Sequence, residues 1–248
     1  MTLVLTIDWS ADSTAVTIID IAAHSIVAEG RSLHGSRKTA KETATNWWES
    51  LISAAHTATD GLAALGLTIK DIRLIELSGN EPAGGLVAFD SSGIVCAAVP
   101  GDHVDSDTDA KLLVTQFAGG ADSWREITGV LPEAGSTVAL LSWLRRTSPE
   151  AWADLHTITV PIGFYMRQLG GDHAISMTTA IGTGVVDRQS GAWCASMLDV
   201  VDPTTSWMVA LPRITDAATP VGLLTNNAAI ALGLPSGCPL HVGSASGS

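Results

Sequence analysis

With 248 residues, 46% of them apolar and 15% charged, the chain has enough hydrophobic surface for a substantial core, which excludes intrinsic disorder. Its 25 acidic and 13 basic residues give a formal charge of −12, which excludes long-range attraction to nucleic acid or to an anionic membrane and favours a small molecule or a protein as partner. Mean hydropathy is +0.30, yet no stretch reaches the roughly 18 uninterrupted apolar residues of a spanning helix.

In chain order, Leu3 to Ile7, Ala15 to Ile21 and Ser25 to Ser32 are β-branched, apolar runs separated by turn formers, which predicts a three-stranded antiparallel meander. Apolar residues at helical intervals (Trp47, Leu51, Ala54, Ala55, Ala58, Leu62 and Leu65) predict a helix from Lys41 to Leu65 that stops at Gly66. Trp47 fits that stripe, and its neighbour Trp48 falls at its edge or in an interface. Ile72 to Gly79 reads as a buried strand, and two more flank the turn Asp90-Ser91-Ser92-Gly93. A meander, a crossover helix and a further strand make this an α/β chain.

Helices are predicted over Asp107 to Phe117 and Thr137 to Arg146, with a turn at Pro149 to Asp154. A strand at His156 to Val160 then leads into a helix from Pro161 to Leu169. The segment TGVVDRQSGAW reads as a small hairpin, and a last helix runs to Leu232, capped in front by Thr225 and behind by Gly233. No repeat, heptad or low-complexity linker divides the chain, so residues 1–248 read as one domain.

Cys96, Cys194 and Cys238 lack CxxC spacing and read as free thiols of a reducing compartment. The opening MTLVLTID has no basic stretch and meets Asp8 before a signal-peptide core is complete, which points to the cytoplasm. The seven histidines show no metal-ligand spacing, and the serines show no GxSxG elbow.

The order of segments resembles the N-terminal half of the FGGY carbohydrate kinases, in their xylulokinase-like branch. VGLLTNNAAIALGLPSGCPLHVGS is similar to the family's V-G-x-L-T-x-x-A-A-x-x-L-G-L-P-x-G-x-P-V-x-x-G. Three further stretches match in collinear order: IDWSADSTAVTIIDIAAHSIVAEGR, IRLIELSGN with GLVAFDSSGIV, and ITGVLPEAGSTVALLSWLRRTSPEAW. The resemblance implies an actin-like ATPase, ribonuclease-H-like α/β domain, with a mixed sheet flanked by helices. In the family it is the first of two lobes that close over a sugar and ATP with Mg. The second, ATP-binding lobe is not recognised in residues 1–248.

Carried over residue by residue, the resemblance places ATP and metal at the first hairpin. The family reads D-x-G-T-x-x-x-K there. Asp8 matches the carboxylate that orients a metal-bound water, and Ser10 and Ser13 offer hydroxyls to a phosphate. Ser10 and Ala11 replace Gly-Thr, Ala15 replaces the basic residue, and Asp12 adds a carboxylate. Like charges about 4 Å apart repel by roughly 4 kcal/mol at an effective dielectric of 20, which argues against efficient ATP binding. The residues by themselves read as a plain hairpin with Asp8 and Asp12 in solvent.

On the sugar side the family's S-G-Q-M-H-G corresponds to Ser78-Gly79-Asn80-Glu81, its W-N-D-x-R-T keeps only Asp102, and its P-K-D-Y-L has Gly163 at the carboxylate position. Asn80, Glu81 and Asp102 are therefore the candidate sugar ligands. Ser246 stands at the family's catalytic base, and an unactivated serine cannot take a hydroxyl proton at neutral pH. No catalytic residue is assigned. The expectation is the sugar-binding lobe of an ATP-dependent pentulose kinase, inactive alone, whose uncovered apolar face pairs with a second copy or with a separate ATP lobe. The alternative is a non-catalytic sugar- or protein-binding module.

Overall fold

The computed structural model describes residues 2–35, 39–79 and 84–243. The predicted meander is present as β1 (Leu3–Trp9), β2 (Ser13–Asp20) and β3 (Ser25–Leu33), antiparallel in sequence. Alternation sends Leu3, Leu5, Ile7 and Trp9 of β1 into the core and leaves Thr6 and Asp8 half-buried. Helix α1 (Ala40–Ala64) crosses over. Its start is fixed by the Thr39 side chain, which accepts from the Glu42 N–H at 3.1 Å, and its end by Gly66 at φ +72°. The predicted stripe faces inward, with Trp47 fully buried and Trp48 half-buried against the same core.

That crossover lets β4 (Ile72–Gly79) lie parallel to β1, with Asp8 opposite Ser78. After it come β5 (Leu86–Phe89), β6 (Val95–Val99), α2 (Asp107–Gln116), α3 (Gly120–Thr128), α4 (Thr137–Thr147), α5 (Pro149–Asp154) and β7 (Thr157–Thr159). Next are α6 (Pro161–Leu169), β8 (Ala174–Ser176), α7 (Met177–Gly182), the hairpin of β9 (Val186–Asp187) and β10 (Ala192–Trp193), α8 (Ala195–Leu198) and α9 (Trp207–Ala210). The last elements are β11 (Arg213–Thr215), β12 (Pro220–Leu223), α10 (Asn226–Leu232) and β13 (Pro239–Val242).

The main sheet has six strands in the order β12-β13-β4-β1-β2-β3, with β4 parallel to both β1 and β13 and the outer pairs antiparallel. This is the expected mixed sheet flanked by helices. A second sheet has the order β6-β5-β7, and its central strand β5 is buried on both faces. Val87 and Phe89 join the core under the main sheet, whereas Leu86 and Ala88 join a second core built by α2, α4 and α9. An uninterrupted apolar run is what such a strand requires.

The sequence reading lacks α3, β8, α7, α8, α9 and β11. Pro149–Asp154 is a short helix with proline in its first turn rather than a bare turn. Helix α3 opens on Gly119 and Gly120, whose φ are +84° and +61°. They turn the chain so that Trp124 is fully buried, edge-on to Phe117 at 5.2 Å. All three cysteines are free, and among the described residues no helix is long and apolar enough to cross a membrane.

Candidate functional site

Asp8 stands one residue before the carboxyl end of β1, beside the end of β4. In open α/β sheets, ligands bind outside the carboxyl ends of parallel strands. Its carboxylate is half-buried, and the Ser78 hydroxyl donates to Oδ1. Asp8 is therefore oriented by β4 rather than left to solvent. A serine 70 residues away in sequence is not visible as a partner until the parallel register is known.

The β1–β2 turn is closed on itself. Ser10 Oγ donates to Asp12 Oδ1 at 2.7 Å, Ser13 Oγ donates to the same oxygen at 2.8 Å, and the Ser10 N–H donates to the Ser13 carbonyl at 2.9 Å. Arg31 of β3 sits directly across the ladder from Ala15. Its Nε and Nη2 donate to Ser13 Oγ at 3.1 and 2.8 Å, and Nη2 lies 3.6 Å from Asp12 Oδ1. The Ser10 hydroxyl, then that of Ser13 and the Arg31 charge, hold the Asp12 carboxyl below its ordinary range. Asp12 is exposed, as the plain-hairpin reading expects, but it has partners. The cation missing at Ala15 is present at this turn on the neighbouring strand.

Asp102 is exposed and lines a separate cavity of about 520 Å³ between the start of α1, β6 and α4, with Thr43, Cys96, His103 and Trp143. Neither Asp8 nor the turn lines it. Asn80 and Glu81, and Ser246 at the family's base position, lie outside the described residues. Gly163 carries no carboxylate, and a Cβ there would meet Thr159 Oγ1 at 2.0 Å, so a side chain at this position requires Thr159 to shift. Ser176 is committed to capping α7, accepting from the Thr179 N–H at 3.2 Å. Arg31 and His34, which contact the turn, are the residues that sequence reasoning passed over.

Residues 3–246 match the N-terminal domain of the FGGY family of carbohydrate kinases. The chain belongs to this family. The FGGY chain is 29% identical to the xylulose kinase of Streptomyces coelicolor over 212 residues, which are 84% of this chain and 40% of that protein. A ligand-bound xylulose kinase from Lactobacillus acidophilus superposes with a TM-score of 0.82 at 16% identity, covering 98% of this chain and 48% of the other. The xylulose kinase of Rhodospirillum rubrum gives 0.78 at 19% identity, over 98% and 48%. These likenesses establish the actin-like ATPase fold. The chain spans less than half the length of these relatives and corresponds to the N-terminal part of FGGY kinases, similar to xylulose kinase.

A magnesium ion is held by one or two carboxylates together with waters and substrate phosphates. A single oriented carboxylate, Asp8, suits that donor set, and among the described residues no group of three acidic, histidine or cysteine side chains offers an all-protein cage. A polyphosphate fits less well, because both hydroxyls of the turn already serve Asp12.

Proposed function

We propose that residues 1–248 form the sugar-binding first lobe of an ATP-dependent carbohydrate kinase of the xylulose type, and that this lobe alone turns over no ATP. The observation that carries the reading is the family match over residues 3–246, which runs through both the hairpin of Asp8 and the last strand of the main sheet. Asp8, oriented by Ser78, is the carboxylate for Mg, and Ser10 and Ser13 are the hydroxyls nearest the phosphates. Asn80, Glu81 and Asp102 are the candidate sugar ligands. The ATP-binding lobe comes from outside these residues, as further chain or as a separate polypeptide, or a second copy covers the same face. The setting is cytoplasmic.

Two features of the site support inactivity of the isolated lobe: the family's carboxylate position is Gly163, and the turn's hydroxyls are engaged internally. Phosphoryl transfer depends on positioning and charge stabilisation more than on covalent chemistry, so losing these groups removes most of the rate. Titration calorimetry with D-xylulose, MgATP and MgADP tests the reading. Pentulose binding without ATP consumption is the expected result. Turnover that Asp8→Ala abolishes overturns the inactivity, and binding of none of the three ligands favours the non-catalytic module that the self-satisfied turn also suits.

A further inference from the structure

We infer that the small molecule bound by this lobe is a polyol with an aliphatic arm, and that the arm fills a cavity of about 330 Å³ beside Gly84 and Gly101. Gly84 follows the Asn80-Glu81 stretch in sequence, and Gly101 precedes Asp102. Their backbones touch at the floor of the cavity. A Cβ on Gly84 would lie 2.6 Å from the Gly135 carbonyl oxygen, and one on Gly101 would lie 2.9 Å from the Gly84 carbonyl carbon. One on Gly135, whose φ is +80°, would collide with the Gly101 carbonyl. The Gly85 N–H donates to the Gly135 carbonyl at 2.9 Å, and the Gly135 N–H donates to Oγ of the fully buried Ser106 at 2.8 Å. A floor of hydrogen-bonded backbone does not collapse into the space above it, so the cavity is preformed.

Its walls are mainly apolar. Val130, Leu131, Pro132 and Ala134 line it from the loop between α3 and α4, and Ile181 lines it from α7, with Thr178 one turn earlier on the same helix face. Val130 and Ile181 keep 48% and 44% of their surface exposed, apolar area that an occupant would cover. The Val130 backbone is pinned in that position: its N–H donates to Thr128 Oγ1 at 3.3 Å, and the same hydroxyl donates to the Val130 carbonyl at 2.7 Å. Of the polar groups here, the Ser136 hydroxyl donates to the Glu133 carbonyl at 2.7 Å, and the exposed Glu133 carboxylate disfavours an anionic ligand.

A pentulose carries an oxygen on every carbon. Against the side chains of Val130, Leu131 and Ile181, a hydroxyl gives up water for no partner, whereas each buried methylene is favourable. The cavity therefore selects a deoxygenated end, and these three side chains determine that specificity. That the bound molecule is also the phosphoryl acceptor, with Asn80, Glu81 and Asp102 at its hydroxyls, rests on the proposed kinase reading. The preference for an aliphatic arm rests on the cavity alone.

Amide NMR titrations of the full chain with the 1,2-diols from propanediol to octanediol test this, with D-xylulose run alongside. Affinity is expected to rise by about three- to fourfold per added methylene until the cavity is full. The amides that shift are expected to be those of Gly84, Gly101, the loop from Val130 to Ser136 and α7. Ile181→Glu sets a charge against the arm and is expected to weaken 1,2-hexanediol by about tenfold or more. Val130→Glu does the same from the facing wall, so a folding defect in one variant leaves the other to decide. An affinity that stays flat along the series, or shifts gathered at Cys96 and Trp143 instead, overturns the inference. A flat series with D-xylulose bound overturns it and leaves the kinase reading standing. A rising series with no D-xylulose bound supports it and counts against that reading.

Discussion

At the scale of single residues, Asp202 shows how a buried charge is kept. Burial works against its ionisation, but Oδ1 accepts from the Thr204 N–H and hydroxyl at 2.9 and 2.7 Å, Oδ2 accepts from Trp152 Nε1 at 3.2 Å, and Arg145 lies 3.8 Å away. The hydrogen bonds and the Arg145 charge win, and its carboxyl sits below the ordinary range. A carboxylate whose folded value is depressed contributes stability above its unfolded value, near about pH 4, and that contribution is lost as pH falls through the folded value. Asp202→Asn keeps the shape and removes the charge, so it is expected to cost about 1–3 kcal/mol at pH 7 and to flatten the acid limb of the stability curve below about pH 4. Urea unfolding at pH 7 and at pH 3 measures both, and a mutant whose deficit is as large at pH 3 as at pH 7 shows that charge is not the cause.

At the scale of elements, the decisive contact is β3 against α1. Gly30 faces the helix so closely that a Cβ would lie 2.1 Å from the Ala54 carbonyl and 2.8 Å from Thr57 Cβ. Backbone cannot step aside as a side chain can. Gly30→Ala is therefore expected to destabilise by about 1–3 kcal/mol or more by forcing α1 off the sheet, and thermal unfolding followed by circular dichroism reads it. The same strand shows what sequence counting misses. Counting back from the hairpin turn, where Asp20 pairs with Ser25, puts Gly30 opposite Ala15, but an extra residue between the pairs Ile18–Ala28 and Ile19–Ile26 moves Arg31 there and gives Gly30 to Val16. A bulge inserts one residue and changes which side chains meet. The guanidinium at the candidate phosphate turn depends on that single residue.

At the scale of the whole molecule, two cores share one sheet. Successive residues of β5 alternate between them, Leu86 and Ala88 to one and Val87 and Phe89 to the other; Ile158 of β7 lies in the second core, and Val160, just past that strand, in the first. Loosening either core exposes a face of the same strands, so the two are expected to unfold together. Leu141→Ala, at a fully buried position of α4 in the second core, is expected to cost about 2–5 kcal/mol. Hydrogen exchange should report the same loss for slowly exchanging amides of α1, in the first core. Protection retained in α1 while it is lost in α4 would mean two independent units.

The sequence by itself determined the local structure. The meander, the long helix with Trp47 inside and Trp48 at its edge, the Thr225 and Gly233 caps, and the collinear motifs that placed the chain in its family all rest on neighbours in sequence, where period and turn chemistry speak directly. The tertiary structure decided what meets what across long separations. It paired Asp8 with Ser78, brought Arg31 and His34 to the first turn, packed Thr159 against Gly163, and set Asp102 beside a cavity that Asp8 does not line. The physical reason is register. Which residues of β1, β3 and β4 face each other depends on a bulge and a crossover helix that constrain whole strands, and no short stretch of sequence carries that information.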